Sequence, residues 1–269
     1  MQTKKERLVA CLKGYDKLVV AFSGGVDSTL LAVMAQRVIG RNVVALTAES
    51  PIHAPRETEQ ARRLARELGL PHVRLASREL SNAAFCNNGP DRCYVCKKQL
   101  FTDIFKQARE MGVAHVAHGA NCDDLKDFRP GLRAANELEV IAPLIDAGMA
   151  KSDIRQLARQ MGLENWHQAA GACLASRIPY GRKITRPILQ MIARAEDVLH
   201  GHGFEACRVR HHGSVARIEV PAQQIVKLLN EPLRQKVVDQ LTAIGYVHVA
   251  IDMMGYRQGS LNRDLEQQR

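Results

Sequence analysis

The amino-acid sequence predicts an α/β fold: a doubly wound parallel sheet of five strands followed by a small α+β module. Apolar runs of strand length alternate with amphipathic helical stretches over the first two thirds of the chain. This alternation ends near residue 184, where a helix, a hairpin, a further helical region and a last strand follow. We therefore expect two domains, residues 1–183 and 184–269, within the 269 residues.

Short apolar runs bounded by turn residues predict the strands of the first domain. These strands are expected at residues 17–22, 42–50, 71–77, 114–121 and 139–145. Amphipathic helices are expected at about 27–38, 57–70 and 97–112, and another, with Ser152 as its N-cap, ends near Gly162. Because helices separate the strands, parallel pairing is favoured.

The second domain has a different pattern. A helix is expected at 186–204, and a hairpin across a Gly-Ser turn at 206–221. A helical region at 222–246 is broken near Pro232, and a final strand begins at residue 248. This order of elements is typical of a small α+β module.

The composition narrows the classes of function. A formal net charge of +10 suits anionic partners such as nucleotides or RNA, and a basic surface kept for solubility explains it equally well. Aromatic residues make up 4% of the chain, so a stacking platform for single-stranded nucleic acid is not expected. No apolar run predicts a membrane span and the N-terminal segment does not resemble a signal peptide, so we expect a cytoplasmic protein. Seven cysteines then favour thiol or metal chemistry over disulfides.

A glycine turn follows the first predicted strand and precedes a helix. It consists of Ser23, Gly24 and Gly25, with Asp27 and Ser28 next. Glycines let the backbone approach an anion, and the amides at a helix start favour phosphate. The turn lacks the lysine of the common P-loop, which suits a phosphate group that departs. Asp27 is a candidate to orient Mg²⁺ or the turn itself.

The sequence "SGGVDST" resembles the PP-loop of ATP pyrophosphatases. The resemblance implies that ATP is cleaved between its α- and β-phosphates, that an oxygen of the substrate is adenylated, and that the turn holds the departing pyrophosphate. It also implies that the end of the second strand, including Ala48 and Ser50, frames the adenine, with Gly119 beside it.

Cys93 and Cys96 form a C-x-x-C motif, and Cys173 is a third candidate. The motif alone serves zinc, a redox pair or an iron–sulfur cluster equally well. Zinc requires a further ligand, for which Cys86, Cys122 and His118 are candidates. The remaining cysteines, including Cys11 and Cys207, are expected to be buried thiols.

The segments "GPDRCYVCKKQLF", "DFRPGLRA", "CLASRIPYG" and "RVRHHGSVARIE" together resemble the LarE family, from about residue 5 to 262. LarE proteins are PP-loop sulfur transferases that act in the biosynthesis of the nickel-pincer nucleotide of lactate racemase. One type sacrifices a single cysteine. The other has three cysteines, here Cys93, Cys96 and Cys173, which the resemblance implies are ligands of a [4Fe-4S] cluster. Its extra sulfide is transferred and then replaced by a sulfide donor.

The resemblance implies that the substrate is pyridinium-3,5-biscarboxylic acid mononucleotide, which carries two carboxylates and a phosphate. Arginines are expected to hold such an anion. For the arginines of the hairpin, a solvated charged face is the alternative. A homo-oligomer is also expected. The candidate substrate-binding residues are Arg129, Arg133, Ser176, Arg177, Glu196, Arg208, Arg210 and Glu219.

Two other functions fit parts of the sequence. A tRNA thiolation enzyme shares the PP-loop, the cysteines and the positive charge, but neither a second C-x-x-C nor an RNA-binding appendage is evident. A nucleotide-binding protein stapled by zinc would use the cysteines without sulfur chemistry. Iron with acid-labile sulfide would exclude the zinc staple.

Overall fold

The computed structural model describes residues 2–126, 130–168 and 171–257. The chain divides into two compact units. One comprises Met1–Phe85 and Pro90–Gly171, and the other comprises Cys86–Gly89 and Ala172–Arg269. The domain boundary predicted between residues 183 and 184 stays a proposal. Within the described ranges no helix is both long and apolar enough to cross a bilayer.

A parallel sheet with the strand order β3-β2-β1-β4 forms the centre of the first unit. Its strands are β1 (Leu18–Ala21), β2 (Val43–Glu49), β3 (His72–Ala76) and β4 (Val116–Ala117). The α-helices up to residue 168 are α1 (Gln2–Leu12), α2 (Val26–Ile39), α3 (Pro55–Glu67), α4 (Ala83–Cys86), α5 (Arg92–Glu110), α6 (Pro130–Glu137), α7 (Pro143–Asp146) and α8 (Lys151–Gln160). The α/β class with a parallel sheet is therefore confirmed.

The predicted number of five strands is wrong. The segment predicted as the fifth strand contributes an isolated bridge between Ala117 and Ile141 instead of a ladder. Glu139 has a positive φ of 55°, which bends the chain before the bridge. Pro143 then opens α7 and has no amide hydrogen to donate, so pairing stops there.

Two helix starts also differ from the prediction. Helix α5 begins at Arg92 instead of residue 97, so the C-x-x-C motif lies inside the helix. Helix α8 begins at Lys151, and Ala150 is its N-cap in place of Ser152. The side chain of Asp153 accepts a hydrogen bond from the Ala150 amide at 2.9 Å, which caps the helix two residues earlier than Ser152 would.

Both faces of the sheet are covered at β1, which is why this interior strand is apolar throughout. Side chains alternate along β1, so Leu18 and Val20 face the core with α1, α2 and α8. Val19 faces the other core, which includes Phe101 and Ile104 of α5. A leucine or phenylalanine buried in this way contributes about 1.5–3 kcal/mol to folding.

The second unit contains a mixed sheet with the order β5-β6-β7. Its elements are α9 (Arg186–Gly201), β5 (Arg208–His212), β6 (Val215–Glu219), α10 (Ile225–Leu229), α11 (Leu233–Ile244) and β7 (His248–Ile251). The predicted Gly-Ser turn joins the antiparallel pair β5 and β6, and β7 runs parallel to β6. Phe204, Val209 and Ile218 are buried together with Leu199 of α9 and Leu241 of α11.

Candidate functional site

The glycine turn connects the carboxyl end of β1 to the start of α2. Gly24 has a φ of +75°, and a Cβ there would lie 2.9 Å from the Cα of Ala61. A residue with a side chain would therefore be strained twice, by its backbone and by α3. Gly25 is the N-cap of α2, so the first amides of a 14-residue helix follow the turn directly.

The hydroxyl groups of Ser23 and Ser28 stabilise the glycine turn by hydrogen bonds within it. Ser28 donates to the carbonyl oxygen of Gly25 at 3.1 Å, and its Oγ lies 3.2 Å from the Oγ of Ser23. The amide of Gly25 donates to Ser23 Oγ at 3.4 Å. The turn is thus pre-shaped by its own side chains, and an anion would meet little reorganisation on binding.

The loop after β4 meets the glycine turn. Strands β1 and β4 are neighbours, while β2 and β3 extend in the other direction, so their loops diverge at a topological switch point. A Cβ on Gly119 would lie 2.8 Å from the amide nitrogen of Ser28. Gly119 therefore permits the close approach of this loop to the start of α2.

His118 precedes Gly119 in this loop. Its ring packs edge-on against the ring of Phe101, with centroids 5.7 Å apart. Burial, and secondarily the positive charge of Lys97, lowers the pKa of His118 to about 4. The imidazole is therefore neutral at pH 7, and we assign it no catalytic proton transfer.

A lysine does reach the glycine turn, from a distant part of the chain. Lys151 Nζ lies 2.5 Å from Asp27 Oδ2, and Asn121 Nδ2 lies 3.4 Å from the other carboxylate oxygen. The Lys151 amide donates to Asp123 at 2.8 Å, which fixes the first residue of α8. A cation and a carboxylate thus stand together beside a phosphate-binding turn.

The side chain of Asn165 stabilises the glycine turn through hydrogen bonds. Its side-chain amide donates to the carbonyl oxygen of Gly24 at 2.8 Å and to Thr29 Oγ1 at 2.9 Å. The side chain is buried, and within the described residues its Oδ1 has no hydrogen-bond partner. Sequence reasoning missed both Lys151 and Asn165. Only Lys151 left a signal, because a lysine in the first turn of a helix opposes the helix dipole.

The residues expected to frame the adenine lie at the end of β2. Ala48 is half-buried and pairs with Leu75 of β3. Ser50 follows the strand, and its carbonyl oxygen accepts the amide of His53 at 3.0 Å. Because the carboxyl ends of parallel strands meet at one edge, Ser50 belongs to the same edge as the glycine turn.

Cys93 and Cys96 lie in the first turns of α5. A spacing of three places the two thiols on neighbouring positions of one helix face. Cys93 is exposed and Cys96 is half-buried. Beside them the guanidinium of Arg133 lies over the ring of Tyr94, 4.0 Å from its centroid. The other arginine predicted here, Arg129, lies outside the described residues.

Cys173 belongs to the second unit, where it precedes a short 3₁₀ turn. Arg177 holds this turn together: its Nη1 donates to the carbonyl oxygen of Cys173 at 3.0 Å and to Ser176 Oγ at 2.9 Å. Two further bonds join Arg177 to both carboxylate oxygens of Glu196 at 2.9 and 3.1 Å. This ion pair is buried, so the Arg177 guanidinium fixes the conformation of residues 173–177, which we call the cysteine turn.

The hairpin has a second buried pair. Arg210 donates to both oxygens of Glu219 at 2.9 Å, and to the carbonyl oxygen of Ser176 at 2.6 Å. Arg208 lies over the ring of Tyr256 and donates to the Cys207 carbonyl oxygen at 2.7 Å. The hairpin arginines therefore link the hairpin to the cysteine turn and to the chain that follows β7.

The three candidate thiols do not lie in a recognisable metal-binding cluster of the described residues. Across the described ranges, no group of three or more His, Cys, Asp or Glu side chains is arranged to hold a metal ion. Two of the expected ligands stand together on α5, and Cys173 belongs to the other unit.

Relatives of known function decide the family. The sequence profile of the NAD synthase family matches residues 7–125, which include the glycine turn and the C-x-x-C motif. A pyridinium-3,5-bisthiocarboxylic acid mononucleotide synthase of Lactiplantibacillus plantarum is 38% identical over 266 residues, covering 98% of this chain and 96% of that protein. The chain belongs to the LarE family. As a LarE-family protein it is an ATP-dependent sulfurtransferase.

Two further relatives match most of the chain. An uncharacterized protein of Synechocystis is 38% identical over 265 residues, covering 98% of this chain and 99% of that protein. A tRNA-specific 2-thiouridylase of Rickettsia felis is 26% identical, covering 86% of this chain and 73% of that protein. The LarE likeness thus extends over both units, while the likeness to the tRNA enzyme is more distant.

Proposed function

We propose that this chain activates a carboxylate of pyridinium-3,5-biscarboxylic acid mononucleotide with ATP and replaces one oxygen by sulfur. The product is the thiocarboxylate used in nickel-pincer nucleotide biosynthesis. The observation that carries the proposal is the 38% identity to the named synthase over 98% of the chain. The glycine turn with Asp27 and Lys151 supports the first half of the reaction.

The first step is adenylation. A carboxylate oxygen of the substrate attacks the α-phosphorus of ATP, the bond to the bridging oxygen breaks, and pyrophosphate leaves. The amides that follow Gly25 and the ammonium group of Lys151 would stabilise the departing charge. Asp27 would orient Lys151 and hold Mg²⁺, a hard cation that binds one or two carboxylates together with phosphate oxygens. Ala48, Ser50 and Gly119 would frame the adenine.

The second step is sulfur transfer. A sulfur nucleophile attacks the carbonyl carbon of the acyl adenylate, and AMP leaves with the electrons of the broken C–O bond. We assign delivery of the sulfur to Cys93, Cys96 and Cys173. These three thiolates would hold the [4Fe-4S] cluster of the three-cysteine type, and the cluster would supply an exchangeable sulfide.

The remaining candidate residues fall into two groups: those that contact the substrate and those that position the cysteine turn and the hairpin. Ser176, Arg208 and Arg133 are proposed to touch the anionic substrate. The guanidiniums of Arg177 and Arg210 are committed to buried carboxylates, so we propose that they and their partners, Glu196 and Glu219, position the cysteine turn and the hairpin.

An anaerobic assay with three single variants tests the sulfur step. Cys93→Ala, Cys96→Ala and Cys173→Ala should each abolish formation of the thiocarboxylate, measured by product mass, while pyrophosphate release continues. Cys11→Ala is the matched control, since this half-buried thiol lies on α1 and has no proposed role. Sulfur transfer retained by all three variants would refute the assignment of these cysteines.

Thiolation of tRNA is a second candidate. The distant tRNA-specific 2-thiouridylases and the net charge of +10 favour it. Bound tRNA in the purified protein, together with loss of a thiolated base on gene deletion, would replace the mononucleotide proposal. A thiocarboxylate product made without RNA would exclude the tRNA reaction as the main activity.

A further inference from the structure

The second unit contains a cavity that is lined by both basic and apolar residues. Its volume is about 360 Å³, within the range of pockets that hold small ligands. Arg182, Lys183 and His212 are its basic lining residues, and none of the described residues that line it is acidic. Ile178 and Ile188 are among its apolar lining residues.

The two cations of this cavity are available to a ligand. Arg182 and Lys183 are exposed, and neither forms a salt bridge with another residue of the described ranges. The hairpin residue Arg210 contrasts with them, because its guanidinium is buried against Glu219. An anion would therefore find its partners in the cavity more readily than at Arg210.

The loop that presents these cations is held in one shape by Asn88. This fully buried side chain donates to the carbonyl oxygens of Pro179 at 2.8 Å and Arg182 at 2.9 Å. The backbone carbonyl oxygen of Asn88 accepts a hydrogen bond from the amide of Gly181 at 3.0 Å. With a longer contact of 3.4 Å from the side-chain amide to the Ile178 carbonyl oxygen, four hydrogen bonds from Asn88 fix the loop, so a ligand would lose little affinity to loop ordering.

Two further features support an anion with a flat ring. Thr185 caps the 16-residue helix α9 and lines the same cavity, so the positive end of the helix dipole adds to the two cations. His211 is buried at the wall, where Tyr246 holds its ring through a contact of 3.3 Å to Nδ1. Burial lowers the pKa of His211, so its imidazole stays neutral at the cavity wall.

We propose that this cavity is the subsite for the phosphate monoester of a mononucleotide, with Arg182 and Lys183 as the phosphate partners and the apolar lining residues, Ile178 and Ile188, in contact with the heterocycle. The inference rests on the proposed function, because it assigns the phosphate of that substrate. The loop continues the chain from Cys173, so a substrate anchored here is bound by the segment that carries a proposed sulfur-delivering residue.

Binding to the full-length chain without ATP tests the site. Nicotinic acid mononucleotide is titrated by calorimetry, with its dephosphorylated nucleoside and inorganic phosphate as comparison ligands. Arg182→Gln and Lys183→Gln are made singly and together, and Lys236→Gln on α11 is the exposed control outside the cavity. The double variant and the nucleoside should each lose at least about tenfold in affinity, and the control should bind like the wild type.

Several results would overturn the inference. These are equal affinity of the wild type and the double variant, equal affinity of nucleotide and nucleoside, or binding of inorganic phosphate without preference for the mononucleotide. Stronger competition by an RNA oligonucleotide, lost in the double variant, would reassign the cavity to RNA. Ring-proton shifts of His211 that follow the nucleotide in the wild type and vanish in the double variant would support it independently.

Steady-state measurements of thiocarboxylate formation distinguish a failure of the cavity assignment from a failure of the proposed function. If the wild type forms thiocarboxylate and the double variant does so with an unchanged KM for the mononucleotide, the cavity assignment fails and the function stands. If the wild type binds the mononucleotide in the cavity but releases no pyrophosphate with the dicarboxylate substrate, the proposed function fails instead.

Discussion

Lys151 and Asp27 are 124 residues apart in the chain, yet the ammonium nitrogen lies 2.5 Å from the carboxylate oxygen beside the glycine turn. The turn itself has no lysine, so the fold supplies the cation from the first residue of α8. A positive charge held by a carboxylate is pre-positioned, and it need not reorganise when a phosphate arrives. This relationship makes the turn a candidate for pyrophosphate release.

Removing the positive charge of Lys151 should lower the rate of adenylation more than it lowers the stability of the folded protein. We expect Lys151→Gln to lower the rate of substrate-dependent pyrophosphate release about 10²–10³-fold, as loss of one stabilising donor does at other active sites. Asp27→Asn should have a comparable effect, because it leaves the lysine without its orienting charge. Lys106→Gln, at an exposed position of α5, is the control. A full rate in Lys151→Gln would remove the lysine from the mechanism.

The close approach at Gly119 makes a second prediction. In Gly119→Ala the new Cβ would lie 2.8 Å from the Ser28 amide nitrogen, so either the loop or the start of α2 must shift. We expect weaker ATP binding, measured by equilibrium dialysis with a non-hydrolysable analogue. Gly201→Ala is the control, because a Cβ there meets nothing within 4 Å. Unchanged nucleotide affinity in Gly119→Ala would separate this loop from the nucleotide site.

Asn165 should act through the shape of the glycine turn. In Asn165→Asp the side-chain nitrogen that now donates to Gly24 and Thr29 becomes an acceptor, which faces the Gly24 carbonyl oxygen without a proton. We expect about 1–3 kcal/mol of destabilisation and a raised KM for ATP. Chemical denaturation and ATP-dependence assays measure the two effects. A loss of stability with an unchanged KM would make Asn165 a packing residue only.

The buried pair of Arg177 and Glu196 makes a prediction about the second unit. Glu196→Gln leaves an arginine buried without its counter-charge, so we expect a loss of about 3–5 kcal/mol in unfolding free energy. Arg177→Met combined with Glu196→Gln should cost less than the sum of the single changes. Additive losses across the double-mutant cycle would contradict a coupled pair.

The sequence was sufficient for features that depend on local pattern. The apolar runs of β1 and β2 and the glycines between β1 and α2 identify the sheet and the phosphate-binding turn, because both follow from neighbouring residues. Lys151 left only its unfavourable place in the first turn of a helix as a signal, and Asn165 left none, because their roles arise from contacts 124 and 141 residues away in sequence. The fifth strand was overpredicted since an apolar run does not reveal that Pro143 ends pairing after one bridge.

The neutral state of His118 predicts how stability depends on pH. Its pKa falls to about 4 in the folded protein from an ordinary value of 6.5, because burial disfavours the imidazolium. Above pH 6.5 the ring is neutral in both the folded and the unfolded chain, and no proton-linked cost arises. As pH falls from 6.5 towards 4, the unfolded chain takes up the proton first, so stability declines over this window and levels off below it.

Replacing this histidine isolates its contribution. His118→Gln removes the titrating group, so the stability difference between wild type and variant should shift against the wild type by on the order of 2–3 kcal/mol between pH 7 and pH 4. His53, His72 and His211 also have lowered pKa values and remain in both proteins, so their effect cancels in the difference. Denaturant unfolding across this range measures it. A difference that stays constant with pH would mean that His118 accepts a proton in the folded protein as readily as in the unfolded chain.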